Sequence, residues 1–130
     1  IYVDKNEGGL PMLNETTTID ASSVWDTVDD VPGIMINGSG MSAWGLGLGA
    51  DSCQIYGLYV TAFNGGSAIY VFSATNTIGG TGAGQRNVLS GNNTGLTLKG
   101  SLAQTNVVRN NYIGLTPAGD TKNPNTPACW

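Results

Sequence analysis

Apolar residues in part of this chain come in short β-branched sets that follow asparagines, with glycine-rich turns separating them. Within residues 76–114 the pattern runs Asn76-Thr77-Ile78, Asn87-Val88-Leu89, Asn106-Val107-Val108 and Asn110-Asn111-Tyr112-Ile113. These sets are too short for helices and read as strands between turns. Upstream, residues 16–20 and 33–37 read as two further strands, and the stretch Asp4-Lys5-Asn6-Glu7-Gly8-Gly9 as a turn. A loop at residues 21–32 separates those two strands and carries Trp25, Asp26, Asp29 and Asp30. Strands this short bury an apolar face only against neighbouring repeats, which predicts a β-solenoid.

From Gly45 onward a repeat is visible. Leu46-Gly47-Leu48 returns as Ile69-Tyr70-Val71 after 23 residues, and as Leu96-Thr97-Leu98 after 27 more. Ile55 returns as Ile78 after 23 residues and as Val108 after a further 30. Unequal spacings fit loops leaving one face, the largest being residues 79–85 with four glycines. Period-two alternation turns Leu46, Leu48, Ile69, Val71, Leu96 and Leu98 inward. It turns Gly47, Tyr70 and Thr97 outward, followed by Gly49, Phe72 and Lys99. Asn76 and Asn106 precede equivalent strands, with Cys53 in the matching slot. Asparagine tolerates bends and bonds neighbouring backbone, so a stack of them would tie coil to coil.

Composition agrees. The chain has 130 residues, 20 of them glycine, and only 11% are charged. Helix-favouring long side chains are scarce, which favours strands and tight turns. One domain spans 1–130: irregular N-terminal coils at 1–44, clear repeats at 45–120 and an irregular tail at 121–130. Net charge is −4, and the five basic residues are scattered along the chain, which argues against nucleic acid. No apolar run reaches 18 residues, so no membrane span is expected. The chain begins with Ile1, which suggests a processed protein or a fragment of a longer one.

The stretches NTIGGTGAGQRNVLSGN, GLTLKG and NVVRNNYIGLTPAGD resemble the right-handed parallel β-helix repeats of large secreted bacterial and archaeal surface proteins. The likeness covers roughly residues 16–120. It implies an all-β, right-handed parallel β-helix, here of about five coils, sharing its architecture with pectate lyases, polygalacturonases, alginate epimerases and phage tailspikes. The fragment LPMLNETTTID and the tail NPNTPACW depart from the repeat.

Chemistry is thinly signposted. Enzymes of this fold cluster carboxylates, whereas Asp20, Asp51 and Asp120 each stand alone beside a turn. Asp26, Asp29 and Asp30 do not have calcium-loop spacing and read as a solvated loop. Arg86 and Arg109 are the only arginines, Arg86 within the repeat grammar. Without histidine, Ser-His-Asp and Cys-His arrangements are excluded. The glycine loop lacks a following Lys-Ser/Thr, so it is not a phosphate loop. No catalytic residue, metal site or cofactor is expected. Cys53 and Cys129 leave three arrangements open: an intrachain disulfide, two separate thiols, or a bond from Cys129 to a neighbouring molecule. Sequons stand at Asn14, Asn37 and Asn92, in expected turns where a glycan would be exposed.

The outward row points to one surface. Tyr70 and Phe72, beside glycines, make an aromatic shelf that Trp44 extends. Such a shelf stacks on carbohydrate or packs on a partner protein, unless the 21–32 loop folds over it with Trp25 as cover. Uncapped end strands invite head-to-tail self-association. The expectation is therefore a non-catalytic structural or adhesive module, extracellular or on a cell surface, self-assembling through open coil ends. The alternative is a carbohydrate-binding or polysaccharide-processing module.

Overall fold

A computed structural model describes residues 1–4, 6 and 8–126. The chain is a parallel β-solenoid, with eleven short strands in three sheets among the described residues. Sheet I stacks β1 (Thr18–Asp20), β4 (Gln54–Tyr56), β7 (Thr77–Ile78) and β10 (Val107–Val108). Sheet II stacks β2 (Ile34–Asn37), β5 (Leu58–Thr61), β8 (Val88–Leu89) and β11 (Tyr112–Ile113). Sheet III stacks β3 (Leu46–Leu48), β6 (Ser67–Val71) and β9 (Thr94–Leu98). Each turn visits the sheets in the same order, and every pairing between these strands is parallel.

The turns number about three, not the five expected. The segments at the two ends supply only parts of a coil. At one end Tyr2 bridges to Asn37 in sheet II and Leu13 to Leu48 in sheet III. At the other, β10 and β11 extend sheets I and II only.

Registers match the spacing of the sequence. Leu46, Ile69 and Leu96 share one column, as do Leu48, Val71 and Leu98. Ile19, Ile55, Ile78 and Val108 form another. In the middle turns these side chains are shut away completely: Ile55, Ile69, Val71 and Ile78 have no exposure. The expected burial of Leu98 does not hold. It is 45% exposed, because β9 ends its sheet and no further strand among the described residues covers it.

Asparagines line all three corners of the coil. Asn76 Oδ1 accepts from the Cys53 amide, and Asn106 Oδ1 from the Asn76 amide, both at 2.8 Å. Asn87 Oδ1 accepts from the Leu58 amide, and Asn111 Oδ1 from the Asn87 amide, both at 3.1 Å. Asn92 Oδ1 accepts from the Phe63 amide and Asn125 Oδ1 from the Asn92 amide, again at 3.1 Å. In the last two columns the carboxamide also donates back to a carbonyl of the preceding coil, as Asn87 Nδ2 does to Ile55 O at 2.9 Å. Each asparagine thus acts as an extra peptide group where the strand ladders break, satisfying backbone that the bend leaves unpaired.

The glycines of one corner serve packing. Phe63 is fully buried between sheets II and III. A Cβ at Gly38 would lie 2.7 Å from its ring, so only glycine admits the phenyl group there. Below β1 and β2 the interior opens as an apolar mouth of about 390 Å³, lined by Leu10, Leu13, Ile19, Ile34, Ile36 and Leu46 among others.

Candidate functional site

The outer face of sheet III carries three aromatic rings in mutual contact. Gly47 lies opposite Tyr70 in register, and Tyr70 opposite Thr97. Because Gly47 has no side chain, the Trp44 indole folds down onto the strand; a Cβ there would sit 2.8 Å from Trp44 Nε1. Gly49 makes the same room for Met12, whose Sδ would be 2.7 Å from an added Cβ. Tyr70 on β6 and Phe72 just past its end, two residues apart in extended chain, project to the same side. Their rings stack at 4.4 Å with 24° between planes. Trp44 lies 5.2 Å from Tyr70, tilted by 48°, and 5.7 Å from Phe72, nearly edge-on at 72°.

The sequence therefore brings Trp44, Tyr70 and Phe72 together as expected. The three are half-buried, with exposed Lys99 at the margin. Their mutual packing makes one continuous apolar patch, since each ring covers part of its neighbour. Pairs of this geometry contribute about 0.5–1.5 kcal/mol beyond burial.

Trp25 does not cover this patch. It belongs to a different corner, where the 21–32 loop meets the 79–87 loop. There Arg86 forms an ion pair with Asp30 at 2.7 Å and donates to the Tyr112 hydroxyl at 3.1 Å. The guanidinium sits 4.2 Å from the Tyr112 ring centre and 5.1 Å from that of Trp25. The Trp25 indole N–H donates to Asp30 Oδ1 at 3.0 Å. Hydrogen bonds from Arg86 and then Trp25 hold the Asp30 carboxyl below the ordinary carboxylate range. Arg86 is thus a clasp between two insertions and β11, a structural role.

Asp20, Asp26 and Asp120 hold turns, and Asp51 ties one coil to the next. Asp20 Oδ1 accepts from the Ser22 amide at 2.8 Å, and Asp51 Oδ1 from the Ala74 amide at 2.7 Å. Asp26 Oδ1 accepts from the Val28 and Asp29 amides. Asp120 accepts from the Thr116 hydroxyl at 2.7 Å, which with Thr121 lowers its pKa. Among the described residues no three His, Cys, Asp or Glu side chains gather to hold a metal ion. No helix there is long and apolar enough to cross a membrane.

Two expectations need correction or narrowing. Asn92 does not offer an exposed acceptor for a glycan. It is 2% exposed, and its amide nitrogen donates to Val60 O and Ser90 O inside the corner. Asn14 is exposed, and Asn37 is half-buried with its Oδ1 capping the Ser39 amide. Cys53 is a buried free thiol, its Sγ 3.4 Å from Ala50 O, and no disulfide occurs among the described residues. Its suggested partner Cys129 lies outside them.

Comparison of the chain with family models, with curated proteins and with solved structures gives no match.

Proposed function

We propose that this chain is a non-catalytic structural or adhesive module of the extracellular space or cell surface, stacking on copies of itself through the ends of its coil. One observation carries the reading. The asparagines, turn aspartates and Arg86 that could have served chemistry are engaged in holding coil to coil and loop to loop. What remains outward is an apolar patch and the exposed ends of the core columns. The resemblance to repeats of secreted surface proteins supports the extracellular placement. Negative-stain electron microscopy across protein concentration tests the reading, with end-to-end particles expected. Depolymerisation of an acidic polysaccharide by the purified chain would overturn its non-catalytic part.

A second reading is favoured by the convergence of Trp44, Tyr70 and Phe72 on one face. That patch suits carbohydrate. Binding on a glycan array that disappears in both Tyr70→Ala and Phe72→Ala supports it; an empty array counts against it.

A further inference from the structure

A solenoid converts position in the chain into position along an axis, since each coil advances by one strand spacing of about 4.8 Å. The charges are unevenly divided along that axis. Residues 1–60 hold eight carboxylates against one lysine, net −7; residues 61–130 hold one carboxylate, Asp120, against four basic residues, net +3. Asp30 is the exception to this division: its loop carries it to Arg86, which also bonds Tyr112 of β11. The other three cations, Lys99, Arg109 and Lys122, are all exposed. Lys99 and Arg109 directly follow β9 and β10, and Lys122 bridges back to Leu115 just past β11; these are the last strands of the three sheets among the described residues. At the opposite end, exposed Asp4, Glu15 and Asp20 adjoin the outermost segments of the three sheets.

Two columns make the match specific. In sheet I Asp20 pairs with Tyr56, and one residue past the paired Ile78 and Val108 the amides of Gly79 and Arg109 donate to Ile55 O and Ile78 O, so the acid and the base stand at opposite ends of one column. In sheet II, Ile1 extends the column of Ile36, Val60, Leu89 and Ile113. Both terminal isoleucines of that column are exposed, Ile1 by 68% and Ile113 by 48%.

We infer that the coil stack is electrically polar and that copies join in one direction only, the acidic end of one on the basic end of the next. The inference rests on the self-stacking proposed above and adds its direction and its force. Continuing sheet II across the junction sets Ile1 of one copy on Ile113 of another. It leaves Asp20 and Arg109 two strand spacings apart, about 10 Å, near the screening length at 0.1 M salt. The reversed, end-to-like-end arrangement sets acid against acid or base against base.

Sedimentation velocity of the full chain between 20 and 500 mM NaCl tests this. Association is expected to weaken as salt rises. Arg109→Asp should weaken it about twofold at low salt, and Asp20→Arg in the same chain should restore it. Asp20→Asn keeps the acceptor for the Ser22 amide while removing the charge, so a loss there reports charge and not the turn. Association indifferent to salt and to these changes overturns the polarity while leaving self-stacking intact. A strictly monomeric wild-type chain at every concentration overturns self-stacking, and the polarity with it.

Discussion

The middle turns and the coil ends are built from the same residue types in the same columns, yet they occupy different environments. Ile78 and Val108 head equivalent strands of sheet I, but Ile78 has no exposure and Val108 has 38%. Val71 and Leu98 share a column of sheet III, at 0% and 45%. Burial here belongs to a level in the stack and not to a strand. Each coil shields its neighbours, so stability is a sum of coil-to-coil terms that falls away at the ends.

The contrast is broken most forcefully inside the core. Ile78→Ala should cost about 3 kcal/mol in urea unfolding, and Val108→Ala less than about 1 kcal/mol. Equal losses would show that this end is as well covered as the middle. Next come the corners. Asn87→Ala leaves the buried Leu58 amide without its acceptor and should cost about 2 kcal/mol. Hydrogen exchange at Leu58 should quicken by more than at Val60, and a uniform increase would mean that the column acts on the whole fold. A smaller effect is expected on the outer face. Gly47→Val displaces the Trp44 indole and should redshift its fluorescence while changing stability by about 1 kcal/mol or less.

The smallest effect concerns the clasp. Asp30 has its pKa lowered by Arg86 and Trp25 in the folded state. A lowered carboxyl stabilises the fold above the unfolded value, and that contribution disappears as pH falls through the lower folded value. Acid unfolding of wild type and Arg86→Gln should therefore converge below the ordinary carboxylate range and separate above it. Curves that stay parallel throughout would place the role of Arg86 in its contacts with Trp25 and Tyr112 instead.

Much of this architecture is legible in the sequence, for a physical reason. A short strand has period two, and a solenoid repeats it in register, so Leu46, Ile69 and Leu96 announce one another. The same regularity exposes the outer face, where Gly47 beside Tyr70 makes space for Trp44. Asn76 and Asn106 show their column because both precede an obvious strand. Asn92 does not, since Gly91 and Asn93 make it look like an exposed turn. The signal that could have found it is its distance past Val88–Leu89: Asn92 follows Leu89 by the same interval at which Phe63 follows Val60, the register partner of Leu89. The clasp was out of reach, because Trp25 and Arg86 lie on two loops with no repeat to align them. The coil number was overread: segments that visit two sheets look in sequence like segments that visit three. The basic residues look scattered along the chain, and only the conversion of sequence into height gathers Lys99, Arg109 and Lys122 at one end.

The parallel pairing of every named strand also sets how the molecule yields to force. Inter-strand hydrogen bonds run across the strands and hence along the solenoid axis. Tension along that axis loads the few bonds of one coil-to-coil contact together, and one contact after another in series. Rupture begins at an end, where the columns are least covered, and proceeds coil by coil. Each released coil of about 27 residues lengthens the tether by roughly 90 Å. Single-molecule stretching should show a staircase of such steps at modest force; a single rupture of the whole chain would show that the coils yield as one body.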